Sequence, residues 1–134
     1  MSFTDSLESS ILDHIFGGGD YSRPATLQVG LSTTAINDDG TGITEPAGGD
    51  YARVALDNDT VTWDAAIIDN DKGLKTNAID IEFPEATDTW GTIVNFFIAD
   101  NAVVLGYGPL AASKEINVGD IVRFKAGELK ITLD

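Results

Sequence analysis

The sequence predicts a mainly β protein: an antiparallel β-sandwich of jelly-roll type, led by one N-terminal amphipathic helix. Three observations predict it. Apolar residues follow a helical spacing only near the start of the chain. After Pro24 the period becomes two, and a series of short strand-like runs follows with turn residues between them. No second helical stretch is long enough to be the crossover of a parallel sheet.

The helix is expected over Ser2–Phe16. Phe3, Leu7, Ile11 and Ile15 recur every fourth residue, and Leu12 and Phe16 widen the stripe. Ser2 or Thr4 can cap it, and Asp5 and Glu8 suit the positive end of the helix dipole. Gly17-Gly18-Gly19 stops it, because glycine takes the left-handed conformation a helix end needs. Three glycines exceed one cap, so residues 1–19 are expected as a hinged docking arm and residues 20–134 as the sandwich domain.

Leu27, Val29 and Leu31 alternate with Gln28, Gly30 and Ser32, the pattern of a half-buried strand. Residues 34–50 are dense in Gly, Asp, Asn and Thr and form a long loop of the kind a partner orders. Strands are expected at Tyr51–Leu56 and Thr60–Trp63, then an irregular stretch over 64–75. Ala78–Phe83 alternates, with Ile79, Ile81 and Phe83 on one face, and Pro84 closes it. Trp90–Ala99 is nearly continuous apolar sequence, expected as a central strand buried on both faces. Val103–Leu110 carries Gly106 and Gly108, which mark a bulge. Ile116–Val118 is a short strand, and Ile121–Lys125 and Leu129–Leu133 are a final pair across Ala126-Gly127.

Composition narrows the function. The 134 residues suffice for one domain with one core. The absence of cysteine excludes disulfide scaffolds, zinc ribbons and thiol catalysis. Eight Lys and Arg against 22 Asp and Glu leave a net charge of −14. That charge disfavours nucleic acids and anionic membranes, and no apolar run is long enough to span a bilayer. No basic start followed by an apolar core marks a secretory signal.

Chemical motifs are thin. His14 is the only histidine, and neighbouring Asp13 points about 100° away on a helix, so no triad forms from them. Asp69-Asn70-Asp71-Lys72-Gly73 opens like a calcium loop but has Leu74 at position six and Asp80 at position twelve. Asp38-Asp39-Gly40 and Asp57-Asn58-Asp59 suit turn chemistry. Glu82 and Glu85 flank Pro84, but nothing marks them as a hydrolase pair. Trp63, Trp90, Tyr51 and Tyr107 could stack on sugars, though core and rim positions suit them better. The glycine run follows a helix and lacks a lysine, so it is no phosphate loop. No catalytic residue, metal or cofactor is expected.

Several segments carry a resemblance to a known family: LDHIFGG (12–18), PATLQVGLSTT (24–34), GITEPAGGDYARVAL (42–56), IEFPEATDTWGTIVNFFIAD (81–100) and GPLAASKEINVGDIVRFKAGELKIT (108–132). In order and over nearly the full length, the chain resembles small tailed-phage virion proteins, commonly labelled tail-fibre or minor structural proteins. The resemblance implies a non-enzymatic virion role, either as head decoration or on the tail. The expectation drawn here is a head cement protein, a homotrimer bridging major capsid protein subunits. The alternative is a tail or fibre component that touches a host receptor or glycan. Expected contacts are Phe3, Leu7, Ile11, Ile15 and Phe16 on the helix, with Ile43 and Pro46 in the loop. The competing use of the helix is to pack on its own sandwich.

Overall fold

The computed structural model describes residues 1–134. It is mainly β, with antiparallel sheets and one helix. Strands β1 (Ser2–Phe3), β2 (Thr26–Ser32), β3 (Val54–Asp57), β7 (Gly91–Asp100) and β8 (Val103–Ile116) form one sheet in the order β1-β8-β7-β2-β3. A three-stranded sheet joins β10 (Lys130–Leu133), β5 (Lys72–Thr76) and β4 (Ile67–Asp69), and β6 (Ile81–Glu82) pairs with β9 (Arg123–Phe124). The helix α1 spans Asp5–Ile15.

The main core lies between the large sheet and the smaller layers. Val29, Leu31, Ile93, Phe96 and Ile98 meet Trp63, Ile81, Phe83, Trp90 and Leu129 there. Burial of such side chains from water is the main force holding the layers together. The expected central strand is β7, buried on both faces. Phe96 and Ile98 point into the main core, while Phe97 and Ala99 join Ile36 in a small outer cluster that Ile43, Val104 and Tyr107 flank. For the same reason β2 is not half-buried as expected. The Phe97 ring lies so close over Gly30 that a Cβ there would fall 2.2 Å from Cζ, so only glycine fits.

Other expectations need correction. Ser2 and Phe3 do not begin the helix: they pair with Tyr107 and Gly106 of β8. The segment on the near side of the expected boundary at residue 19 is thus hydrogen bonded into the main sheet. The glycine run is a helix closure. Gly17 sits at φ +89°, and the Gly18 N–H donates to the Asp13 carbonyl at 2.7 Å, the six-to-one bond of a Schellman motif.

The irregular stretch expected over 64–75 contains the β4–β5 hairpin, turned by Asn70 and Asp71, both at positive φ. β4 is a short Ile-Ile-Asp run and β5 carries two lysines, so neither strand shows the apolar alternation that would mark it. Thr60–Trp63 supplies only a single bridge, Trp63 to Asn77. Ile79 lies outside β6 and is exposed, unlike Ile81 and Phe83.

The last two strands do not pair with each other: β9 joins β6 and β10 joins β5. Fully buried Asn77 holds the turn between them, donating to the Ile79 and Lys125 carbonyls and accepting from the Leu129 N–H at 2.9 Å.

Candidate partner-binding surface

The seven residues expected to meet a partner divide into three groups. The first is spent inside the fold at the start of α1. Thr4 occupies the N-cap position, but its hydroxyl donates to the Val104 carbonyl at 2.7 Å instead of capping. The Asp5 N–H donates to the Asp38 carbonyl at 3.0 Å. These bonds hold the first turn against β8 and against the loop at Asp38. Leu7 is buried, and Phe3 and Ile11 are half-buried beside it. With Leu27 and Trp63 they line a groove of about 320 Å³ between α1 and the sheet.

The second group is the loop over 34–50, which is ordered by its own chemistry. The Asn37 N–H donates to the Thr41 carbonyl at 2.9 Å, and Asp39 accepts from both the N–H and the hydroxyl of Thr41. Those bonds hold the Asp39 carboxyl below its ordinary range. The Tyr107 hydroxyl donates to Asp38 at 2.7 Å, and this bond, helped by slight desolvation, raises its pKa.

Farther along, Glu45 takes two parallel bonds from Arg53, at 2.9 and 2.8 Å, and one from the Tyr51 hydroxyl. Burial alone would raise the Glu45 pKa. The bonds from Arg53 and Tyr51 and the charge of Arg53 outweigh it, so the net shift is downward. Burial first, then the Glu45 carboxylate, pushes the Tyr51 hydroxyl far upward. That hydroxyl also accepts from the Leu31 N–H at 2.9 Å, replacing a ladder bond that β3 is too short to make. The Arg53 guanidinium lies 4.9 Å from the centre of the Phe97 ring. Ile43 is half-buried beneath this network, and Pro46 is buried.

The third group remains open. Ile15 and Phe16 are 61% and 78% exposed, and Leu12, which widened the stripe, is 57% exposed. The end of α1 is also electrically unusual. A helix C-terminus carries negative partial charge and favours cations, yet its last turn has only His14 as a basic residue and carries Asp13. The exposed His14 ring accepts from the Tyr21 N–H at 3.2 Å, with Asp20 at 3.6 Å. The surface is therefore an apolar knob on an acidic helix end.

The other motifs are absorbed by the fold. Trp63 and Trp90 are buried, and Tyr51 and Tyr107 serve the loop, so these four form no open stacking platform. Asp59 accepts from the Val61 and Thr62 N–H groups, and Glu82 pairs with Arg123.

Sequence reasoning missed a concavity of about 590 Å³ between β8 and the β9–β10 segment. Phe96, Leu110, Val122 and Phe124 give it an apolar floor, and Lys114, Arg123 and Lys130 stand around it with one acid, Glu128. It opens where β8 leaves its partner: Asn95 pairs with Pro109 and Ile93 with Lys114, so residues 110–113 have no partner on β7. The clustering of basic residues at 114, 123 and 130 was the signal available in the sequence.

Comparison with known proteins adds one finding. Residues 2–132 match the family described as podophage GP4 fiber I protein gp80. No curated protein matches the chain. Both termini of the match lie at the ends of the chain, so it takes in α1 and all three sheets, and the protein belongs to this podophage fiber I protein family of tailed-phage structural proteins.

Proposed function

We propose that the protein is a fiber-associated structural component of the phage particle, that it acts without catalysis, and that the outer end of α1 is its contact surface. The observation that carries this reading is the match to a podophage fiber protein family over residues 2–132. The exposed Leu12, Ile15 and Phe16 support the contact surface, since an apolar cluster on an acidic helix end gains most from being covered. Head decoration through the major capsid protein is the second reading. It is favoured by the net charge of −14, which would complement a basic groove between capsomers.

Copy number separates the two. Quantitative mass spectrometry of purified particles, referenced to the major capsid protein, is expected to find a small number of copies per particle. A ratio near one to one would overturn the fiber reading in favour of head decoration. Absence from washed particles would overturn both.

A further inference from the structure

The chain carries two surfaces of opposite character. The end of α1 presents Leu12, Ile15 and Phe16 beside Asp13 and Asp20, with no Lys or Arg among them. The concavity beside β8 presents an apolar floor ringed by Lys114, Arg123 and Lys130, with Glu128 the one acid among them. This is three of the eight Lys and Arg in a chain that also holds 22 acids. Arg123 is paired with Glu82, but neither Lys114 nor Lys130 forms an ion pair. Two free lysines beside an apolar floor are what the uncompensated helix end lacks.

We propose that these surfaces dock on each other between copies: the α1 end of one chain fills the β8 concavity of the next. This rests on the reading of the helix end as a contact surface and names its partner as a second copy of this chain. Two features argue for that occupant. The charges are complementary, in a molecule whose remaining surface is strongly acidic and would repel a second copy elsewhere. Both surfaces are apolar at the centre and charged at the rim, the usual anatomy of a specific interface.

The two patches differ, so the contact is head to tail. Such a contact closes into a ring when the rotation between copies allows it, and a three-copy ring would be the homotrimer expected from the sequence.

The natural chain has no cysteine, which makes a cross-linking test clean. Phe16→Cys and Ala112→Cys chains, prepared separately and mixed under mild oxidation, are expected to give a mixed disulfide dimer. A Phe16→Cys chain mixed with an Ile68→Cys chain is expected to give almost none. Light scattering of the natural chain at micromolar concentration is expected to give a multiple of 14.2 kDa. Lys114→Glu with Lys130→Glu is expected to reduce it to the monomer, and adding Asp13→Lys to that variant to recover part of the assembly. A monomer mass for the natural chain together with equal cross-linking at positions 112 and 68 would overturn the proposal. If such monomers were still found in the particle at low copy, the fiber reading would stand and only the copy-to-copy docking would fall.

Discussion

The loop over 34–50 and the outer end of α1 looked alike in the sequence, as two places where a partner would bind. The structure separates them. The loop is rich in short polar side chains that reach nearby backbone groups, so it satisfies itself: Asp39, Thr41, Glu45 and Tyr51 are all engaged internally. The helix end holds Leu12, Ile15 and Phe16, which have nothing local to bond to and no layer above them. Polar length can be closed by local chemistry, whereas protruding apolar surface can only be covered by something else.

The largest expected effect tests the loop as part of the body. Phe97→Ala removes the fully buried ring that the loop and Arg53 cover, and should cost about 3–5 kcal/mol in chemical denaturation. An effect under about 1 kcal/mol would mean that the loop lies on the sheet without packing there. Glu45→Ala should cost about 1–2 kcal/mol, because it strips partners from Arg53 and Tyr51 while the partly exposed pair remains screened. One pair of substitutions makes the comparison direct. Ile43→Ala in the half-buried loop should cost about 1–2 kcal/mol, while Ile15→Ala should stay within about 0.5 kcal/mol of the natural chain and alter only assembly.

The smallest effect is in acid. The Glu45 pKa is lowered by folding, so its contribution is complete above the unfolded value of about 4.3 and is lost as pH falls through the lower folded value. The stability gap between the natural chain and Glu45→Ala should therefore be constant above that pH and narrow below it, as denaturant melts at several pH values would show.

Much of the fold was legible because it is written in local periods. The fourfold spacing of Leu7, Ile11 and Ile15 marked α1, and the nearly continuous apolar run through Phe96 and Phe97 marked β7 as central. What escaped depends on contacts between distant residues. No local pattern says that β9 pairs with β6, or that Asn77 will bind the turn near Lys125 through bonds spanning about fifty positions. The helix stripe was read correctly as apolar, but no local pattern marks its division into an inner half at Leu7, packed over Leu27, Trp63 and Leu105, and an outer half at Phe16. The β8 concavity arises from a register shift, which has no sequence period.

The pairing of Ser2 and Phe3 with Tyr107 and Gly106 also bears on the order of events during synthesis. During synthesis β1 cannot find its neighbour until more than a hundred further residues have followed it. Until then Phe3, Leu7 and Ile11 are as uncovered as Phe16, and the nascent helix is sticky along its whole stripe. Completion of β8 withdraws the inner half into the body. The finished chain therefore keeps only Leu12, Ile15 and Phe16 uncovered on the helix, a far narrower apolar surface than the unfinished chain presents.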